Sequence, residues 1–141
     1  MSDLIGLIHA RLAAALADRF ALIERAAGLL ALDGQLPTVP ALYVYMGEEG
    51  GSANSRANGV RQDVECDVIC LIVTSQLADR TGGAASVEVE TLKAAVRDCL
   101  IGYQPGDQSR PITLGGGALI RARQGQIWWE YQFTTSYMIE A

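Results

Sequence analysis

The sequence predicts an α+β fold: a largely antiparallel or mixed β-sheet, two main helices packed on one face, and a protruding β-ribbon. Three observations carry this. Segments 3–17 and 87–101 repeat apolar residues at the three-to-four spacing of a helix with one buried stripe. Segments 59–75 and 126–139 instead alternate between two faces, as half-buried strands do. The element order is helix, short strand, two strands, helix, three strands, which places the helices on one side of the sheet.

In the first helix, Leu4, Leu7, Ile8, Leu12, Ala15 and Leu16 form the stripe, and Ser2 or Asp3 can cap the start. His9 lies off that stripe and reads as a solvated helix histidine. Residues 20–36 read as a short strand followed by a short helix that stops at Asp33-Gly34. Pro37 and Pro40 keep the chain extended into the strand ALYVYMG, 41–47. Residues 47–59 (GEEGGSANSRANG) carry no large apolar side chain, so the expectation is an exposed, flexible loop.

The strand that follows is the most informative. Val60, Val64, Cys66, Val68, Cys70 and Ile72 share one face. The other begins with Arg61, Asp63, Glu65 and Asp67 and turns apolar at Ile69, Leu71 and Val73. One end is therefore wet on one side, while the other end needs cover on both. The run exceeds ordinary strand length. It is either bulged, or its first half projects as a ribbon paired with 41–47. Gly82-Gly83 breaks the chain, Ser86 caps the helix 87–101, and Gly102 ends it. Strands at 111–114, 118–124 and 126–139 complete the sheet. In the last, Trp128 falls among polar neighbours and reads as a strand-edge residue or an interface anchor.

Composition narrows the function. The chain has 141 residues, 50% hydrophobic and 19% charged, which is the composition of one globular domain spanning 1–141. A formal net charge of -5 disfavours a free-standing DNA binder, which needs clustered positive charge. No apolar run reaches the ~20 residues of a membrane span, and no basic leader is read at the N-terminus. Three cysteines (Cys66, Cys70, Cys99), with no CxxC and only one histidine, read as reduced core residues rather than zinc ligands. Phosphate-cradling glycine motifs are absent, and Gly115-Gly116-Gly117 sits between strand candidates, where a bulge or tight connection is expected. The alternate carboxylates Asp63, Glu65 and Asp67 could hold a cation weakly, but they read first as a solvated face. No catalytic, cofactor or metal residue is assigned.

Three segments together resemble a known family. PALYVY (40–45) follows the first helical region, GYQP (102–105) closes the second helix, and WWEYQFTT (128–135) ends the chain after a glycine-rich β segment. Their order and spacing, over about residues 4–139, are similar to those of the tail terminator (tail completion, minor tail) proteins of tailed bacteriophages. Tyr103 stands where that family's turn would carry Trp. The resemblance implies a structural subunit and no enzyme. It would form a hexameric ring, possess no cofactor, cap the tail tube and stop its growth, and offer a surface for joining the head. Its partners would be itself, the tail tube protein and a head-completion or connector protein. DNA would pass through the ring without specific binding, and no membrane would be involved. Assembly would take place in the host bacterial cytoplasm and the product would sit in the virion tail.

Head-to-tail rings need two different complementary patches per subunit. The acidic face Asp63, Glu65 and Asp67 and the basic surplus of Arg110, Arg121 and Arg123 are the expected pair, with Trp128 as an anchor. Glu48, Glu49 and Arg56 mark the 47–59 segment as a docking-loop candidate. Alternatives are another phage neck or tail structural protein, a small ligand-binding α+β regulatory module with its glycine turn on the ligand, and, last, an unrecognised hydrolase.

Overall fold

Asp3 opens the first helix, α1 (Leu4–Leu16), by accepting the Gly6 N–H at 3.1 Å, one of the donors that every helix start leaves unpaired. Leu4, Ile5, Ile8, Leu12 and Leu16 are buried. Ile5 thus takes the inward position that the spacing assigned to Leu7 and Ala15, which both keep solvent contact. The computed structural model describes residues 3–25, 38–75, 83–123 and 125–141. The short helix expected after residue 25 falls outside them.

Five strands form one mixed sheet in the order β1-β2-β3-β5-β4. They are β1 (Leu22–Arg25), β2 (Ala41–Gly51), β3 (Arg61–Ser75), β4 (Thr113–Arg123) and β5 (Gln126–Glu140). Among the described residues, only the β1–β2 pair is parallel, and the other neighbours run antiparallel. The length of β3 is resolved by its partner. β5 is equally long and pairs with it in unbroken register from Arg61↔Glu140 to Ser75↔Gln126. The bulge lies instead in β2, between Met46 and Glu49.

Two boundaries differ from expectation for one reason: backbone pairing does not require apolar side chains. Residues 47–51, read as loop, continue β2 with their side chains exposed. The projecting ribbon is accordingly three-stranded, since β5 accompanies β3 to its end. The segments 111–114 and 118–124 fuse into β4, whose register shifts between Leu114 and Gly116 absorb Gly115 as a bulge. Gly125 takes φ +75° just before β5, whose first residue Gln126 pairs with Arg123 of β4.

The second helix, α2 (Gly83–Leu100), starts a turn earlier than predicted, so Ser86 lies inside it. It ends as predicted. Gly102 takes φ +87°, the left-handed conformation that stops a helix, and its N–H donates to the Ile112 carbonyl at 2.8 Å. Both helices pack on one sheet face with Leu42, Val44, Val64, Cys66, Val68, Cys70, Ile72, Tyr131 and Phe133. A second, smaller cluster of Ala41, Tyr43, Leu71, Val73 and Trp128 lies on the opposite face, which explains the apolar second face predicted for the later half of β3.

Candidate functional site

The acidic face is built by strand alternation. Asp63, Glu65 and Asp67 occupy successive same-face positions of β3 at the ribbon end, opposite Met138, Ser136 and Thr134 of β5. Arg110 reaches this face from the segment before β4. Its backbone is tied to β5, the N–H donating to Ser136 Oγ at 3.2 Å and the carbonyl accepting from Thr135 Oγ1 at 2.7 Å. Its guanidinium then lies 3.0 Å from Glu65 and 3.6 Å from Asp63. The two predicted patches are therefore partly joined within one chain. All three side chains keep solvent contact, so each pair contributes at most about 1 kcal/mol.

Arg121 does not join them. It stacks on the Trp128 ring, 3.7 Å from guanidinium carbon to ring centroid. Arg123 ends β4, and its side chain lies outside the described residues. Trp128 corrects the sequence reading: it is fully buried, not an exposed anchor. Its same-face neighbours along the strand, Gln126 and Glu130, are polar, but its cross-strand partner is Val73, and Leu71 and Tyr43 pack beside it. Its indole N–H donates to Gln126 at 3.2 Å.

At the ribbon end, Glu48, Glu49 and Arg56 are all exposed. Glu49 accepts from the Tyr137 hydroxyl at 3.1 Å, and Arg56 pairs with Glu140 at 3.0 Å. Asn54 organises the connection. Its side-chain oxygen accepts from the N–H groups of Arg56 and Arg61, and its amide donates to the carbonyls of Arg56 and Gly59. Val60 and Ala141 exchange two backbone hydrogen bonds, fastening the chain end to this tip.

The groups with most chemical potential hold structural places. His9 is half-buried rather than solvated, and its Nε2 donates to the Ile23 carbonyl at 3.0 Å, joining α1 to β1. The thiols of Cys66 and Cys99 lie against the carbonyls of Val64 and Arg11. Burial pushes the Cys66 thiol up to about 11, helped by the nearby Glu49 and Asp67 charges, and it also raises Cys70 and Cys99. Such thiols stay protonated and unreactive near neutrality. Among the described residues, no group of three or more Cys, His, Asp and Glu is arranged to hold a metal ion. A depression of about 750 Å³ between α1 and α2 is shallow and lined by Leu7, Ala10, Arg11, Ala14, Asp98 and Tyr103 among others. Cys99 also lines it, with a thiol that burial raises above its ordinary value.

Sequence reasoning missed one surface. Leu114, Leu119 and Ile120 of β4 are 41, 55 and 38% exposed. The available signal was a charge-free run from Thr113 to Ile120, which read as two strand candidates joined by a glycine bulge or tight connection. It also missed two aromatic contacts. Lys93 Nζ sits 3.5 Å from the Trp129 ring centroid, and Arg11 lies over Tyr103 at 4.2 Å while its Nε donates to the Cys99 carbonyl at 2.7 Å. Tyr103 thus clamps α1 to the end of α2.

Residues 3–141 match the family described as "Phage tail terminator protein". No curated protein matches the chain. Among solved structures, a chain of "Virion of native gene transfer agent (GTA) particle" is similar at 18% identity with a TM-score of 0.48, over 95% of this chain and 98% of that one.

Proposed function

We propose that this chain, which belongs to the phage tail terminator family, closes the finished tail tube as a hexameric ring and offers the free side of that ring to a head-completion or connector protein. As a member of that family it is a structural protein of the phage tail. The observation that carries the finer reading is the extent of the match, residues 3–141, so the proposal concerns the whole domain and not a grafted module.

A polymer of identical subunits stops growing when its end is covered by something whose far side differs from its near side. A head-to-tail ring does this, because its subunits saturate one another laterally and leave two unlike axial faces. The net charge of -5 suits a ring that DNA crosses without adhering, since like charges repel. The Asp63–Glu65–Arg110 cluster and the Glu48, Glu49 and Arg56 tip are the polar surfaces suited to steering the tube protein or a neighbouring subunit into register. Assembly would occur in the host bacterial cytoplasm. Electron microscopy of particles lacking this chain tests the proposal. Overlong tubes, or headless tails beside full heads, are expected; tubes of normal length joined to heads would overturn it.

A further inference from the structure

β4 is built as an interface strand. None of its described residues from Thr113 to Ala122 is buried. It pairs with β5 on one side, and among the described residues no strand covers its other edge. Exposed edges invite strand addition, and proteins that remain single protect them with charge, proline, bulges or a covering element. Between Thr113 and Ile120 this edge has neither charge nor proline, while Leu114, Leu119 and Ile120 are exposed. Its two register shifts, after Leu114 and after Leu119, bend and twist the strand, as closure of a curved sheet requires.

The opposite edge of the same sheet is complementary. β1 pairs only with Ala41–Val44 of β2. From Tyr45 to Gly51, β2 runs on with β3 on one side and, among the described residues, no strand on the other. The successive antiparallel pairs β2–β3, β3–β5 and β5–β4 leave β4 pointing opposite to β2. Copies related by a cyclic rotation of higher order than two can therefore pair β4 with β2 antiparallel, and the operation repeats until it closes. Charge separates this contact from a two-fold one. The only charged residues of β4 are Arg121 and Arg123, whereas the open stretch of β2 carries Glu48 and Glu49. A β4-to-β2 contact joins opposite signs, while a β4-to-β4 contact joins like ones.

We infer that the occupant of the β4 edge is the Tyr45–Gly51 stretch of β2 from a second copy of this chain, so that a single antiparallel sheet runs from subunit to subunit. Closure of that sheet rests on the ring reading; the pairing of the two edges is the new element. The test is cross-linking of the full-length protein, in solution and on purified tail tubes, with a short bismaleimide. With Arg121 opposite Glu48 the antiparallel register brings Ala118 opposite Gly51, so an Ala118→Cys, Gly51→Cys double variant should give a covalent ladder, and each single variant should give none. The native thiols are buried and do not compete. A dimer from Ala118→Cys alone would overturn the inference in favour of a two-fold contact. Rings seen by electron microscopy without any ladder would overturn it and leave the ring reading standing. Absence of any multimer, on tubes or off, would overturn both. As a second measurement, Leu119→Lys with Ile120→Lys should abolish assembly while the far-ultraviolet circular dichroism stays unchanged; normal assembly by this variant would overturn the inference.

Discussion

Gly117 is a position where a single methyl group should be costly. A Cβ placed there would lie 2.8 Å from Trp129 Cζ2 and 2.8 Å from both Cδ1 and Cε1 of Tyr131. Neither ring can retreat cheaply. Trp129 and Tyr131 meet edge to face at 5.7 Å, Tyr131 continues onto Phe133 at 5.6 Å, Lys93 lies on Trp129, and Arg97 donates to the Tyr131 hydroxyl. Forcing a methyl into such packing costs about 1–3 kcal/mol, and the entropy gained by replacing Gly in the unfolded chain returns about 0.4–1 kcal/mol at most. Gly117→Ala should therefore lower Tm by several degrees, at about 3–4 °C per kcal/mol for a domain of this size. The neighbouring Gly116 supplies the control. A Cβ there meets nothing within 4 Å, so Gly116→Ala should leave Tm unchanged or slightly raised. Thermal unfolding followed by circular dichroism distinguishes the two, and near-ultraviolet spectra report the aromatic row directly. Equal melting of both variants and the parent would refute the steric reasoning, because only the ring contacts separate the two glycines.

The buried thiols predict an alkaline limit. Cys66 ordinarily titrates at 9.0 but is held up to about 11 in the fold, so between those values the native state keeps a proton that the unfolded chain has lost. The stabilisation is complete below about pH 9 and is lost as pH rises through the folded value, with Cys70, Tyr43 and Tyr45 shifted in the same direction. A urea midpoint that stays level from about pH 8 to 11 would contradict this. His9→Ala should cost about 0.5–1.5 kcal/mol by removing the hydrogen bond to Ile23, read as a shift in the same midpoint. Arg110→Ala should cost about 1 kcal/mol or less, because its pairs with Asp63 and Glu65 are exposed. A larger loss would mean that the cluster is desolvated in an assembled state. Charge reversal of Arg121 and Arg123 to Glu should weaken ring assembly, and unchanged assembly at physiological salt would reject a lateral role for the basic end of β4.

The parts of the fold that could be read from sequence are those where periodicity reports burial locally. α1, α2, β3 and β5 each carry a repeating apolar face long enough to identify the element. Elements held by something nonlocal escaped. Residues 47–51 are strand because β3 lies beside them, and their own Gly and Glu content argues for loop. Trp128 was misplaced for a related reason: its same-face neighbours Gln126 and Glu130 are polar, while its cross-strand partner Val73 is 55 positions away across the sheet. Arg110 illustrates the same limit for the candidate site. Its charge was visible, but its pairing with Asp63 and Glu65 depends on hydrogen bonds that anchor residue 110 beside β5.

The segments that carry the family resemblance also show what such a resemblance can report. In PALYVY, Ala41 to Val44 are buried at the centre of the sheet. In GYQP, Gly102 turns the chain and Tyr103 lies under Arg11. In WWEYQFTT, Trp128, Tyr131, Phe133 and Thr135 are buried. These residues face inward or shape a turn, so selection for packing alone can keep them recognisable. The exposed surfaces through which a structural protein works are under a different constraint, since they must match a particular partner and can change with it. The β4 edge fits that description. It contributes almost nothing to the core yet carries a charge-free, partly apolar run. The signature therefore reports the scaffold, and the assembly tests on the β4 edge and ribbon tip address surfaces that lie outside it.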